Sequence, residues 1–302
     1  MTDKKMNNKV ISSVGIIGCG WLGSALATQL KQQGISVLAT RSNLANVDEL
    51  KCQGINAEVL SLPAEQETLN CHPVFNQQCL VIAITPQFRQ GRVDYAEKVK
   101  QLVDAAKINN KVEKIVLLSS TAVYNGLSGD VYEDITLDES ADKVPLLNAA
   151  EQAVLSFNSI KSKSKKTHAI KEEQDNKSAF VLRLSGLVGP NRHPGKFLLN
   201  GRMLKSPQAI VNLIHQQDAM GLILSILESD IRGGIFNGVS ATQVTKKQYY
   251  QRAAKSLKLP TPIFEESNSC LDVNPKVVSG KKTRDELNYS FIYDDLFNWL
   301  EQ

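Results

Sequence analysis

The chain has 302 residues, 42% of them hydrophobic, and a formal net charge of +4 at pH 7. This length and apolar content can form a full core for one large domain or two small ones. No basic stripe typical of nucleic-acid binders is present, and no apolar run approaches the roughly 18 residues that span a membrane. We therefore expect neither nucleic acid nor a membrane among the partners.

The cysteines follow no spacing that is typical of metal ligands or disulfides. They are Cys19, Cys52, Cys71, Cys79 and Cys270. We therefore predict no metal site and a reduced, cytoplasmic setting. Residues 1–9 are polar and are predicted to form a loose tail.

The first predicted element is a buried strand at residues 14–17, followed at once by a Gly-x-Gly-x-x-Gly turn. The turn reads Gly18-Cys19-Gly20-Trp21-Leu22-Gly23, and a helical pattern over 24–33 ends at Gly34. In a dinucleotide site the first glycine permits the tight turn, the second admits a pyrophosphate and the third lets the helix pack on the strand. A second strand at 35–40 gives this motif its expected setting, so we predict a nucleotide site.

The end of the second predicted strand indicates which nucleotide binds. NAD sites place an acidic residue about 20 residues after the glycines, whereas NADP sites place an arginine there. This chain has Thr40-Arg41-Ser42 and no acid before Asp48. A guanidinium and two hydroxyls suit a 2′-phosphate, so the residues favour NADP(H) over NAD(H). The alternative, that Arg41 is a solvated surface residue, stays open.

The remaining chain alternates strands and helices. Strands are predicted at 57–60, 79–84, 114–118, 180–184 and 234–237, and helices at 44–51, 95–109, 145–158, 219–227, 246–257 and 294–300. Residues 159–178 hold six lysines and three carboxylates and are predicted to be a solvated insertion. This alternation is typical of an α/β fold with a doubly wound parallel sheet. Its ligands bind beyond the carboxyl ends of the strands, where Gly18, Arg41, Thr85 and Ser120 lie.

Several segments in this order resemble the extended short-chain dehydrogenase/reductase superfamily, also described as NAD-dependent epimerase/dehydratase-like. They are the glycine turn, Ser119-Ser120-Thr121-Ala122-Val123-Tyr124, residues 183–190, residues 212–215 and residues 235–238. The segment 189–194 is most similar to an atypical branch of that superfamily. The resemblance implies a Rossmann-type domain with a smaller C-terminal portion that covers the substrate.

The resemblance also implies site residues. Ser61 takes the place of the usual adenine-contacting Asp, Ser120 matches the hydroxyl that polarises the substrate oxygen, and 184–187 line the nicotinamide. The full predicted cofactor set is Gly18, Cys19, Gly20, Trp21, Leu22, Gly23, Thr40, Arg41, Ser42, Ser61, Ala83, Ile84, Thr85, Ser119, Leu184, Ser185, Gly186 and Leu187. We predict an NADP-binding Rossmann domain over 10–186, to which 205–240 returns, and a substrate-side portion over 187–204 and 241–302.

One departure from the superfamily concerns catalysis. Its members use Tyr-x-x-x-Lys on the helix after the fifth strand, where the lysine lowers the tyrosine pKa. That helix begins here Val144-Pro145-Leu146-Leu147 and contains neither residue up to Glu151. We take Ser120 as the matched catalytic candidate and Tyr124 as a replacement proton donor, with a structural role for Tyr124 as the alternative.

Two functional hypotheses remain. The first is an NADP(H)-dependent, epimerase/dehydratase-like oxidoreductase acting on a small carbonyl or nucleotide-linked substrate, with Arg192, His193 and His215 as candidate substrate contacts. The second is a catalytically inactive NADP(H)-binding sensor or scaffold, which the missing Tyr/Lys pair favours. We expect a small-molecule partner and keep a homodimer as an open alternative.

Overall fold

The computed structural model of the protein describes residues 11–158, 177–198, 203–265 and 274–301. Its strands are β1 (Ser13–Ile17), β2 (Ser36–Arg41), β3 (Ala57–Val59), β4 (Cys79–Ile82), β5 (Lys114–Ser120), β6 (Asp130–Val131), β7 (Ser178–Leu184), β8 (Gly186–Val188), β9 (Leu213–His215), β10 (Gly233–Gly238) and β11 (Val277–Val278). Its α-helices are α1 (Trp21–Gln32), α2 (Leu44–Cys52), α3 (Gln66–Cys71), α4 (Tyr95–Ile108), α5 (Val144–Leu155), α6 (Gln216–Glu228), α7 (Lys246–Ser256), α8 (Lys281–Leu287) and α9 (Leu296–Trp299). Short 3₁₀ helices lie at Pro73–Asn76, Phe88–Gln90, Thr121–Tyr124 and Pro194–Leu198.

A seven-stranded sheet organises these elements, in the order β10-β7-β5-β4-β1-β2-β3. The pairs from β5 to β3 are parallel, and Val14 of β1 lies beside Val37 on one side and Cys79 on the other. The chain therefore leaves β1 in one direction and returns to its other edge at β4. This reversal creates a crevice at the carboxyl ends of β1 and β4, where such sheets bind ligands. The predicted α/β, Rossmann-type fold is confirmed.

The chain packs as two compact units, each assembled from three stretches. The first comprises Met1–Leu118, Leu146–Val181 and Ile226–Gly234, and the second comprises Ser119–Pro145, Leu182–Ser225 and Ile235–Gln302. These bounds differ from the predicted cofactor and substrate portions. The functional division stays a prediction because it concerns ligands rather than packing.

The first unit has its core on β1 and α1. Val14, Ile16 and Ile17 are almost wholly buried, and the α1 face carrying Leu26 and Leu30 is fully buried. Gly34 has a φ of +78°, so the helix ends where the sequence predicts. The predicted strands are continuous apolar runs because strands of a parallel sheet are covered on both faces.

A half-buried lysine, Lys114, connects two parts of the first unit that are distant in sequence. The Lys114 Nζ at the start of β5 donates to the carbonyl oxygens of Ile226, Leu227 and Ser229, at 2.9, 2.7 and 2.9 Å. These carbonyls lie at the end of α6, where a helix carries partial negative charge. Burial lowers the pKa of Lys114, and the three acceptors compensate the ammonium for lost water.

The second unit has a separate apolar core and two small parallel sheets. Strand β6 pairs with β11 and β8 pairs with β9. Its core includes Val188, Val211, Tyr249, Ala253, Leu296 and Leu300. The sequence patterns missed β6, β8, β9, β11, α3 and α8, because each spans at most seven residues and offers too little periodicity.

The predicted lysine-rich insertion lies mostly outside the described residues, except for its last two. Ser178 is buried and opens β7, so the predicted boundary at 178 was wrong. Its amide donates to the carbonyl oxygen of Glu113 at 2.7 Å, which extends the strand backwards from the predicted start.

Candidate functional site

Each glycine of the turn after β1 has a distinct steric environment. Gly18 has a φ of +83°, and an added Cβ would lie 2.9 Å from the Ile84 amide nitrogen. A Cβ on Gly23 would lie 3.3 Å from Ile16 Cγ2, so α1 packs closely on β1 there. Gly20 has open space, since the nearest atom to its Cβ position is Arg41 Nη1 at 3.8 Å. These environments match the turn, packing and ligand-approach roles predicted for the three glycines.

The end of β2 holds the glycine turn in place. The Thr40 side chain is buried, and its Oγ1 accepts from the Gly18 amide at 3.3 Å. The Thr40 carbonyl accepts from the Cys19 amide at 2.9 Å, and Arg41 Nη1 donates to the Cys19 carbonyl at 2.6 Å. The Thr40 hydroxyl therefore supports the turn, and its predicted contact with a ligand stays a prediction.

A cleft of about 430 Å³ opens at the carboxyl ends of these strands, within the first unit. It brings together eight of the predicted cofactor residues: Gly18, Gly20, Arg41, Ser42, Ser61, Ala83, Ile84 and Thr85. It is also lined by Ile17, Asn46, Leu60, Leu62, Gln87, Arg92 and Lys98. No carboxylate is among these lining residues, whereas three cations are. The cleft is therefore suited to an anionic ligand.

The other predicted cofactor residues do not line this cleft. Cys19, Trp21, Leu22 and Gly23 belong to the turn and the first turn of α1, and burial raises the pKa of the Cys19 thiol. Ser119, Leu184, Ser185, Gly186 and Leu187 belong to the second unit. Ser185 is buried there, with its hydroxyl donating to the Gly238 carbonyl at 2.8 Å. Their cofactor roles stay predictions.

Four polar lining residues were missed by sequence reasoning. Asn46 lies on α2, Gln87 and Arg92 lie in the segment after β4, and Lys98 lies on α4. The rule that ligands bind after the strand ends could have indicated Gln87. Lys98 gave no such signal, because a lysine on an amphipathic helix is ordinarily predicted to be solvated.

Ser120 ends β5 and caps the following 3₁₀ helix. Its Oγ accepts from the Ala122 amide at 3.1 Å, and its side chain is only partly buried. The hydroxyl proton is donated to no acceptor within the described part of the chain. A hydroxyl that already accepts from a backbone amide can direct that proton at a ligand oxygen.

Tyr124 is fully buried, which favours the structural alternative over the predicted proton-transfer role. Its hydroxyl donates to Asn237 Oδ1 at 2.8 Å and accepts from Arg183 Nη1 at 2.8 Å. Burial raises the pKa of Tyr124 despite the neighbouring guanidinium. The phenol thus both donates and accepts a hydrogen bond inside the second unit, and its proton-transfer role stays a prediction.

The helix that carries the superfamily's Tyr and Lys offers no replacement here. Helix α5 spans Val144–Leu155 and contains no Tyr and no Lys. Its Glu151 is fully buried in the first unit, and its charge adds to burial in raising the pKa of Tyr95 on α4. The described structure therefore places no proton donor of the usual kind on this helix.

The three predicted substrate residues differ in exposure and in their contacts. Arg192 is exposed, and His193 Nδ1 accepts from the Gly195 amide at 3.1 Å. His215 is 4% exposed, its Nδ1 accepts from the Gln217 amide, and its ring lies 3.9 Å from the Tyr293 ring, centroid to centroid. Burial lowers the pKa of both histidines. The His215 ring packs on aromatic rings, which favours a structural role, and the substrate contacts predicted for the three residues stay predictions.

Comparison with known proteins gives a relative and a set of structural neighbours. The protein YeeZ of Escherichia coli strain K12 is 28% identical over 295 residues, which are 94% of this chain and 97% of YeeZ. A functionally unknown conserved protein from Silicibacter pomeroyi is similar in structure, with a TM-score of 0.70, 22% identity, and 96% and 97% of the two chains covered. No protein-family model matches the sequence.

One structural neighbour has a described activity and shares the fold of this chain. The UDP-glucuronic acid 4-epimerase from Bacillus cereus, solved in complex with NAD, has a TM-score of 0.72, 16% identity, and 96% of each chain covered. The chain shares the fold of this epimerase. The resemblance read from the sequence is thus confirmed at the level of the fold.

Within this fold, the cleft lies after β1, β2 and β4, where doubly wound sheets bind their ligands. Among the described residues no group of His, Cys, Asp and Glu side chains could hold a metal ion. The described helices also include none that is long and apolar enough to cross a membrane.

Proposed function

We propose that the protein is an NADP(H)-binding, epimerase/dehydratase-like oxidoreductase that acts on a small carbonyl or nucleotide-linked substrate. The observation that carries the proposal is the cleft after β1, β2 and β4, which has Arg41 at its β2 end and no carboxylate among its described lining residues. An NAD site needs an acceptor for the ribose hydroxyls, whereas a 2′-phosphate needs donors and positive charge.

Arg41 supports NADP(H) through its free donors. One guanidinium nitrogen donates to the Cys19 carbonyl, and the side chain makes no other hydrogen bond within the described residues. A guanidinium has five N–H donors in a planar fork that matches phosphate oxygens. The bond to Cys19 fixes the side chain beside Gly20, so little freedom is lost when a phosphate binds.

Ser120 supports an enzymatic role. A bound nicotinamide would supply hydride transfer, and a carbonyl that gains hydride needs a hydrogen-bond donor as charge builds on its oxygen. The Ser120 hydroxyl retains its proton for that purpose, because the Ala122 amide already occupies its acceptor side. It is the superfamily-matched polar group that the structure leaves available.

A second function, an inactive NADP(H)-binding sensor or scaffold, is favoured by a separate observation. Tyr124 is buried between Arg183 and Asn237, and α5 carries no Tyr and no Lys. Loss of a general acid or base typically lowers the rate by about 10²–10⁴-fold. We therefore expect weak or absent turnover with generic carbonyl and sugar-nucleotide substrates.

The cofactor proposal is tested by thermal shift. NADPH should raise the melting temperature more than NADH at equal concentration, because a ligand stabilises according to its affinity for the folded state. Arg41→Ala should remove this difference, whereas Arg89→Ala, an exposed arginine that does not line the cleft, should leave it unchanged. Equal shifts by NADPH and NADH in the unmodified protein would contradict the assignment.

The choice between enzyme and sensor is tested by following NADPH oxidation over a panel of carbonyl compounds. Any activity should fall at least ~10-fold in Ser120→Ala, because a hydrogen bond to developing charge is lost. Binding of NADPH without turnover across the panel would favour the sensor. Fast turnover that survives Ser120→Ala would place the proton donor elsewhere.

A further inference from the structure

Two cationic side chains of the cleft have no role yet in the proposed nucleotide binding. The inference below rests on that proposed function. Arg92 lies in the segment after β4 and Lys98 on the second turn of α4, and both line the same cleft as Arg41. The Lys98 side chain is only 11% exposed. An ammonium group is rarely buried to this extent unless it is paired.

The two cations share one carboxylate. Arg92 Nε donates to Asp94 Oδ1 at 3.1 Å and Arg92 Nη2 to Asp94 Oδ2 at 2.5 Å, in a bidentate pair. Lys98 Nζ lies 3.1 Å from the same Oδ2. The hydrogen bonds from Arg92 hold the pKa of Asp94 well below its ordinary value, so the carboxylate stays charged. One negative charge is therefore divided between two positive charges.

The position of Lys98 on α4 places it near the segment that follows β3. Gln101, one turn further on, lies on the same helix face. Its side-chain oxygen accepts from the Ala64 amide at 3.4 Å, and its carbonyl accepts from Gln66 Nε2 at 3.5 Å. This face of α4 thus packs against residues 64–66, next to the lining residues Ser61 and Leu62. Lys98 is held there by helix packing rather than by a flexible loop.

The charge around the cleft exceeds what Asp94 can neutralise. Arg41, Arg92 and Lys98 line it, and Asp94 is the carboxylate paired with two of them, which leaves two positive charges. A phosphate monoester carries about −1.5 to −2 at neutral pH, close to this excess. Charge complementarity therefore points to a phosphate-bearing ligand that contacts the Arg92 and Lys98 side of the cleft as well as Arg41.

We propose that Arg92 and Lys98, oriented by their shared Asp94, are phosphate-binding residues of the nucleotide site. The phosphate is either the 2′-phosphate or the pyrophosphate of the dinucleotide. Lys100 on the same helix shows what a purely structural pair looks like. It is 67% exposed and pairs with Asp104 at 2.7 Å, and the half-exposed Lys107 lies 3.8 Å from the other oxygen of that carboxylate. Such exposed pairs contribute little, and Lys100 does not line the cleft.

The test is isothermal titration calorimetry of the full chain with NADPH, NADH, 2′,5′-ADP and 5′-AMP. Lys98→Met and Arg92→Gln should each weaken NADPH binding about 10- to 100-fold, since each removes a charged hydrogen bond to phosphate. Lys100→Met and Arg89→Gln are matched controls and should change it less than about 5-fold. Lys98→Arg keeps the positive charge and should retain most of the affinity for NADPH. If Lys98→Met acted only through its shape, Lys98→Arg would weaken binding as well.

The ligands distinguish the two phosphates. A loss confined to NADPH and 2′,5′-ADP supports the 2′-phosphate contact, and an equal loss for NADPH and NADH supports the pyrophosphate contact. Circular dichroism and melting of the unliganded variants check that they fold. If Lys98→Met and Arg92→Gln fold and bind like the controls, while Arg41→Ala still abolishes the NADPH preference, the inference is overturned and the proposed function stands. If the unmodified protein binds neither dinucleotide, both are overturned.

Discussion

The sharpest prediction concerns Gly20→Ala, because the structure separates its effect on folding from its effect on binding. Gly20 has φ −92° and ψ −151°, an extended conformation that alanine adopts. The nearest atoms to an added Cβ are Arg41 Nη1 at 3.8 Å and the Gly18 oxygen at 3.9 Å, both ordinary contacts. Alanine is a poorer N-cap than glycine by up to ~1 kcal/mol. It also restricts the unfolded chain, which offsets this by about 0.4–1 kcal/mol.

The expected change in unfolding free energy is therefore within about 1 kcal/mol. Binding should respond differently, because the methyl group occupies the space through which a phosphate reaches the backbone of the turn. Loss of charge-assisted hydrogen bonds there should weaken NADPH binding at least ~10-fold. Urea denaturation measures the first quantity, and isothermal titration calorimetry measures the second.

Gly18→Ala is the matched contrast. Its φ of +83° costs alanine about 1–2 kcal/mol, and the Cβ placed 2.9 Å from the Ile84 amide nitrogen adds about 1–3 kcal/mol of overpacking. We expect a loss of stability of about 2–5 kcal/mol. The reasoning is refuted if Gly20→Ala is destabilised as much as Gly18→Ala, or if it folds normally and binds NADPH as tightly as the unmodified protein.

Three further predictions concern Tyr124, His215 and Lys114. Tyr124→Phe should cost about 1–3 kcal/mol in urea denaturation, because the buried Arg183 loses an acceptor. No change would mean that water replaces the phenol. Burial depresses the pKa of His215 below its ordinary 6.5, so its protonation favours the unfolded state and stability is lost as pH falls below about 6.5. Melting from pH 7 to 5 should therefore decline less steeply in His215→Phe, and an identical slope would contradict a depressed pKa. Lys114→Met should destabilise by about 2–4 kcal/mol, since three carbonyl acceptors at the end of α6 lose their donor. The exposed Lys111→Met is its control, and equal stability of the two variants would contradict the capping role.

Those parts of the site that depend on local sequence were predictable. The glycine turn and Arg41 lie within 24 residues of each other, and both follow strands whose apolar runs are plain in the sequence. Steric rules for glycine and the preference of arginine for phosphate then suffice to place them. The rule that ligands bind beyond the strand ends indicated Thr85, and the superfamily resemblance indicated Ser61.

Those parts that depend on partners distant in sequence were not predictable. The acceptor and donor of Tyr124 lie 113 and 59 residues away, so its burial could not be read from the motif that contains it. The burial of His215 was equally unpredictable, because its ring packs on Tyr293, which belongs to a later stretch of the second unit. Lys98 reaches the cleft only because α4 packs against the segment after β3.

The bonds made by Lys114 have a consequence for synthesis of the chain. Its nearest acceptor carbonyl lies 112 residues further along the sequence. At about 5–20 residues per second, translation delivers that carbonyl roughly 5–25 s after the lysine. During this interval the start of β5 has an ammonium group and no acceptor for it, so the strand cannot be buried without cost. The nascent first unit should therefore wait for residues 226–229 before it closes, and a ribosome stalled before them should hold it open to proteases.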